Sequence, residues 1–269
     1  MPPYELILLA LAGLGTGILA GFLGIGGGTV LVPLLVAFGF SPLHAVATSN
    51  LSITITAISG SIQNWRMGLL SVGRVVGLGL PAIATAQVGA AIADWIPAYY
   101  LLTGFGFLLL LNIYLVNLRQ RLAQTQQSDT VDTTGASTQP MNIILFRLFT
   151  GAIAGLLAGL FGVGGGVIMV PLQILLLKEP IKVAIQTSLG VVVITAISAC
   201  VGHALRGNVL WTAGIMLGLG GLVGAQISTR FLPKLPDRLI SLGFRAFLGV
   251  LSIYVFAQAW QAYQAAQGT

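Results

Sequence analysis

The sequence predicts an all-α, polytopic integral membrane protein made of two copies of one helical unit. Charged residues occupy only 7% of the 269 positions, and the mean hydropathy is +0.97. The apolar runs also recur, in the same order and lengths, on either side of a single polar stretch. Soluble domains carry roughly a quarter charged residues, so this chain has too little polar surface to coat a soluble globule. In a bilayer the argument inverts, because a charge at a helix centre costs about 2.5 to 3.5 kcal/mol on insertion scales.

Apolar runs fall at about 4–23, 29–40, 43–63, 72–93 and 97–117, then at about 143–161, 167–177, 181–204, 209–229 and 239–258. Each is bounded by turn residues or charges, as membrane segments are. The first, preceded by Met1-Pro2-Pro3-Tyr4-Glu5 without a basic residue, is expected to be a permanent segment and not a cleaved leader. Between the two sets the chain turns rich in Gln, Ser, Thr and Asp, a composition that cannot pack a core. The expected organisation is a first membrane repeat over 1–118, a polar cytoplasmic linker over 119–140 and a second membrane repeat over 141–269.

Local sequence supports the duplication. Ala20-Gly21-Phe22-Leu23-Gly24-Ile25-Gly26-Gly27-Gly28 with Val32-Pro33-Leu34 returns as Ala158-Gly159-Leu160-Phe161-Gly162-Val163-Gly164-Gly165-Gly166 with Val170-Pro171-Leu172. Downstream, Thr48-Ser49 pairs with Thr187-Ser188, Gly68 with Gly207, and Val88-Gly89-Ala90 with Val223-Gly224-Ala225. Collinear order over so long a period argues for a duplicated unit and against a solenoid array.

Topology follows from Lys and Arg, which concentrate in cytoplasmic loops. With the linker and its flanking Arg119, Arg121 and Arg147 inside, five crossings return the N-terminus to the outside. The loops carrying Arg66 and Arg74, Lys178 and Lys182, and Arg230, Lys234 and Arg238 then all fall inside. An odd number of about five segments per half makes the two repeats inverted, the arrangement that permits alternating access. Re-entrant half-helices in place of the short second segments leave that parity unchanged.

Each glycine break interrupts an apolar helix and is followed by a stretch too short to span comfortably. Each glycine weakens a helix by about 1 kcal/mol relative to Ala. Backbone freed in this way must be buried in protein or line an aqueous cavity. A helix restarting after the break also offers free N–H groups at a positive dipole end, suited to an anion. The alternative for these glycines is close helix packing. Gly26, Gly27, Gly28, Gly164, Gly165 and Gly166 are therefore candidate substrate contacts. Neither break completes a G-x-G-x-x-G fingerprint.

The third segment is dense in small polar residues, with Thr48, Ser52, Thr56, Ser59 and Gln63 on one helical face. Hydroxyls and amides can replace water around an oxyanion, and interhelical hydrogen bonding is the alternative use. Thr48, Ser49, Asn50, Ser52, Thr187 and Ser188 join the candidate list. Arg245 joins too, because it lies deeper in its segment than boundary placement predicts. Pro81 is expected to kink its helix, and Trp65, Trp95 and Trp211 read as interfacial anchors. His44, in a short loop, and His203, near an interface, read as structural.

All six carboxylates, Glu5, Asp94, Asp129, Asp132, Glu179 and Asp237, fall at segment ends or in the linker. That disfavours a midplane proton relay or cation site and eases admission of a negative substrate. No His/Cys/carboxylate cluster supports a metal, no cofactor is expected, and the single Cys200 cannot form an intramolecular disulfide. The net charge of +6 lies in loops beside anionic lipid and does not resemble a nucleic-acid footprint.

The twofold G-x-G-G-G with a following V-P-L, each succeeded by a Thr-Ser pair, resembles the sulfite exporter TauE/SafE family, also called toluene-sulfonate uptake permeases. The likeness covers nearly the whole chain apart from the linker. The resemblance implies transport of small, often sulfur-containing anions across a prokaryotic inner membrane or a plant membrane. The expected function is a secondary transporter for a small, sulfur-containing anion such as sulfite, thiosulfate or a sulfonate, working in the cell inner or plasma membrane. A passive anion channel and, with weaker support, an intramembrane enzyme are the alternatives. No Walker motif points to ATP hydrolysis.

Overall fold

A computed structural model describes residues 3–23, 26–128, 140–231 and 237–267. Among these the chain is helical throughout, without strands: α1 (Pro3–Leu23), α2 (Gly28–Ala37), α3 (Pro42–Arg66), α4 (Val72–Trp95), α5 (Ala98–Ser128), α6 (Pro140–Phe161), α7 (Gly166–Leu176), α8 (Ile181–Leu205), α9 (Trp211–Phe231) and α10 (Asp237–Gln267). Six of them, α1, α3, α4, α6, α8 and α9, are long and apolar enough to cross a membrane. Large apolar side chains such as Leu11, Leu80, Phe107 and Leu219 are exposed on the outer surface, where lipid is the only solvent that suits them. The chain is a multi-pass membrane protein.

Helix α5 continues through Arg119–Ser128, into the stretch expected to be linker. Its Arg, Leu, Ala and Gln residues are good helix formers, so loss of hydropathy marks the end of the apolar face without ending the helix. The remainder of the expected linker, 129–139, lies outside the described residues.

Helices α3 and α8 pack against each other at the centre, α9 packs on both α1 and α3, and α4 packs on both α6 and α8, while α5 pairs with α10. Equivalent bonds recur along the two halves. Gln87 Nε2 donates to Ser198 O and Oγ while Ser198 Oγ donates to Ile83 O; Gln226 Nε2 donates to Ser59 O and Oγ while Ser59 Oγ donates to Leu222 O. Each counterpart lies 139 positions on: Ser59 and Ser198, Ile83 and Leu222, Gln87 and Gln226. The turns after α3 and α8 also match, with Gly68 and Gly207 both left-handed at φ 70° and 74°. This register corrects the pairing of Val88-Gly89-Ala90 with Val223-Gly224-Ala225, which is one helical turn out. In register Gly89 corresponds to Ser228 and Gly224 to Thr85, so small residues one turn apart on both helices let a one-turn slip produce the closer sequence match.

Two contacts establish which helix ends lie together. Arg74 pairs with Glu179 at 3.3 Å, joining the start of α4 to the turn before α8. Asn208 donates to Asp94 at 2.9 Å, joining the turn after α8 to the end of α4. Helices α4 and α8 therefore run in the same direction. The Leu210 N–H donates to Thr48 Oγ1 at 3.1 Å, which places the start of α3 at the Asp94 end. Thus α3 runs opposite to its counterpart α8.

The short helices are returns. A recess of about 160 Å³ is lined by Glu5, Leu8 and Leu9 of α1 together with Phe38 and Phe40 beyond α2, so α1 begins and α2 ends at the same side. Gly27 abuts Thr16 and Ala20, roughly 20 Å along α1 from Pro3 at 1.5 Å per residue. Helix α2, at 10 residues, then covers about 15 Å, half the hydrocarbon thickness.

Candidate functional site

Both glycine breaks are left-handed backbone, Gly26 and Gly27 at φ 74° and 76°, and Gly162, Gly164 and Gly165 at 66°, 69° and 72°. Only glycine adopts this conformation without steric cost, and Gly27 and Gly165 are the residues from which α2 and α7 restart. The two tips meet at mid-depth. A methyl group added to Gly28 would strike the Gly162 carbonyl, and one added to either Gly26 or Gly164 would touch both Ile53 and Val192. Ile53 and Val192 are fully buried counterparts on α3 and α8, and they fill the space beside both breaks.

Breaking α6 exposes carbonyls that its own backbone no longer uses, and side chains from α3 and α8 cover them. Ser49 Oγ donates to Gly162 O at 2.8 Å, and Asn50 Nδ2 adds a second bond, at 3.2 Å, to the Ala158 carbonyl, which already accepts from Gly162 N–H. Thr195 Oγ1 donates to Gly164 O at 2.8 Å. The Gly159 carbonyl lies 2.8 Å from His203 Nε2; since a carbonyl only accepts, Nε2 carries the proton. His203, expected near an interface, is fully buried. His44, placed in a loop from sequence, lies in the first turn of α3, where Ser41 caps the helix and bonds the ring at 2.6 Å.

Not all of this polar capacity is consumed. Asn50 Oδ1, Ser52 Oγ and Thr29 Oγ1 are buried without a hydrogen-bond partner among the described residues. Thr48 accepts from Leu210 N–H, capping the start of α9 and leaving its own proton to donate. Thr187 and Ser188, at the matching positions of α8, are buried at 2% and 0% exposure, and Ser188 Oγ donates to Ile185 O at 3.3 Å. Gly24 and Ile25 lie outside the described residues. Arg245 lies on α10, and its side chain is not among those described. Arg147, expected at the cytoplasmic side, lies half-buried with Cδ 3.7 Å from the space beside Gly77.

The structure thus brings together Gly26, Gly28, Gly162, Gly164, Ser49 and Asn50, and adds Ile53, Val192 and Thr195. Ile53 and Val192 were not candidates from sequence, since aliphatic residues carry no chemical signal; their matching places after the two Thr-Ser pairs were the available clue. All these groups are neutral. The N-terminal ends of α2 and α7 approach the same point from opposite sides, each bringing the positive end of a helix dipole.

A family profile described as sulfite exporter TauE/SafE matches residues 9–255. "Probable membrane transporter protein YunE" of Bacillus subtilis (strain 168) is 27% identical over 253 residues, covering 85% of this chain and 90% of its own. "Probable membrane transporter protein YdhB" of the same organism is 29% identical over 228 residues, covering 82% and 87%. A "Probable membrane transporter protein" of Xylella fastidiosa (strain Temecula1) is 27% identical over 256 residues, covering 92% and 95%. No solved structure matches the chain.

Proposed function

The chain belongs to the sulfite exporter TauE/SafE family of membrane proteins, and from that premise we propose that it is a secondary transporter, not an enzyme, for a small sulfur-containing oxyanion in the inner or plasma membrane. One observation carries the reading. Two glycine-broken hairpin tips, entering from opposite ends, meet tip to tip beside the unspent hydroxyls of Thr29 and Ser52, with two helix N-termini aimed at the meeting point. Positive partial charge without a formal counter-charge suits a substrate that has to leave again. The opposed directions of α3 and α8 support an inverted pair of repeats, whose exchange of conformations would carry the centre from one side to the other. Ile53 and Val192 close the path in this state.

The test is uptake into proteoliposomes of labelled sulfite, thiosulfate, sulfate, sulfonates and carboxylates. Saturable movement of sulfur oxyanions, with accumulation against a gradient when an ion gradient is imposed, is expected; accumulation separates a transporter from a channel. Flux confined to cations or neutral solutes would sink the assignment. Replacing Thr48 or Thr187 by Val removes a hydroxyl at nearly constant volume and should weaken binding by about 0.5 to 1.5 kcal/mol. At Thr48 the same change also removes the cap on Leu210, so Thr187→Val is the cleaner probe.

A further inference from the structure

The second half carries a buried polar pair that the first half lacks. Thr150 on α6 and Gln173 on α7 are 0% and 1% exposed, and Thr150 Oγ1 and Gln173 Nε2 have no hydrogen-bond partner among the described residues. Their counterparts are Ala12 and Leu35. The correspondence is structural: Gly13 and Gly151 each face the carbonyl of a matching leucine, Leu217 and Leu78. The Phe40 N–H likewise returns to Leu35 O just as the Glu179 N–H returns to Gln173 O. At these two positions the first half packs without polar groups. A buried amide donor with no acceptor is costly to keep, so its presence in one half alone calls for a ligand that accepts.

Its position suggests which ligand. Gly165 abuts Ala154, and α7 runs back along α6 from there, so Gln173 and Thr150 come to similar depth between the break and the Lys178 end. Met169 and Ala154, one turn deeper on the two helices, pack with Val75 and Leu78 of α4. Toward the surface, Glu179 hangs from the Gln173 carbonyl through its N–H and holds Arg74 at 3.3 Å. Lys178, left-handed at φ 51°, forms the turn that brings Glu179 there. At the opposite end the counterparts of Arg74 and Glu179 are Ala213 and Phe40, which carry no charge and line separate recesses.

We propose that Gln173 and Thr150 form a second binding station for a small oxyanion, between the central breaks and the basic surface, with the Arg74–Glu179 pair at its mouth. The proposal rests on the anion-transport reading above and adds a residence site on one side only. The amide N–H and the hydroxyl donate to the anion. Arg74 draws the anion in, and Glu179 competes with it for the guanidinium, so the mouth releases what it attracts.

The test installs the first half's residues in the second, Gln173→Leu with Thr150→Ala, and follows [35S]sulfite uptake into proteoliposomes. Expected is a KM at least 5-fold higher with a melting temperature unchanged or raised, because the variant loses two unpaired buried groups. Wild-type kinetics in this variant would show that the pair holds nothing more than buried water, and would overturn the station. If the double variant does not fold, Gln173→Glu decides: a carboxylate at the same place should abolish sulfite uptake, and uptake at the wild-type level would reject the proposal. A wild-type protein that moves no anion at all removes the transport reading itself, and the station with it, an outcome distinct from a working transporter indifferent to these substitutions.

Discussion

Gly39 and Gly165 have similar backbone, φ 86° and 72°, in opposite surroundings. Nothing lies within reach of a side chain at Gly39, whereas one at Gly165 would meet the Ala154 carbonyl. Gly39→Ala should therefore cost only the left-handed penalty, about 1 to 2 kcal/mol. Gly165→Ala adds a backbone collision and should yield little folded protein; thermal unfolding in detergent and the monodisperse yield on gel filtration separate the two. A second comparison concerns hydroxyls. Ser49→Ala leaves the buried Gly162 carbonyl without its donor and should cost about 1 to 3 kcal/mol. Thr54→Ala, which breaks only a bond to its own helix at Asn50 O, should change melting by less than about 0.5 kcal/mol; equal losses would show that the Ser49 bond is not special. The breaks and the Thr-Ser pairs were legible because glycine runs and hydroxyls are rare in lipid-facing helices. Their partners were not, since Ser49 reaches a carbonyl 113 positions away and no local pattern encodes that distance.

Along the helices, the contacts that position the site are glycine ladders. Gly13, Gly17 and Gly21 of α1 lie against Leu217, Gly221 and Ser228 of α9, and Gly151, Gly155 and Gly159 of α6 lie against Leu78, Ala82 and Ala86 of α4. Lipid supplies no hydrophobic drive between helices, so close backbone approach supplies the attraction. Gly155→Leu would drive a branched side chain into the Ala82 carbonyl and Thr85 hydroxyl. Loss of the α4–α6 contact, seen as a collapse of folded yield, is expected, whereas Gly73→Leu, which meets open space, should be tolerated. The four-residue spacing was present in the sequence, yet it was read for the breaks alone. Small residues one turn apart, Thr85 and Gly89 on α4 and Gly224 and Ser228 on α9, caused the slip at Val88-Gly89-Ala90. Pro81 remains inside a continuous α4, with Thr85 Oγ1 donating to its carbonyl at 3.2 Å.

At the level of the whole molecule, number and order of segments were legible from hydropathy, while the packing of α1 on α9 and α6 on α4 was not, because lipid-compatible faces look alike. Sidedness has a direct test. Met67 and Arg206 occupy matching places after α3 and α8, at ends the Arg74–Glu179 and Asp94–Asn208 contacts put on opposite sides. With Cys200 replaced, Met67→Cys should react with a membrane-impermeant maleimide only from the cytoplasm and Arg206→Cys only from outside. Labelling of both from one face would refute the inverted arrangement.

Because α1 finds its main neighbour in α9 and α6 finds its own in α4, neither half completes its packing alone. On the ribosome, the face of α4 waits for α6, and the glycine face of α1 waits in the bilayer until α9 is made. Packing is therefore completed only late in synthesis, and the early product should be a target for quality-control proteolysis until then. A gene cut between the codons for Ser128 and Pro140 should yield two fragments that are degraded when expressed singly and rescue each other in the same cell.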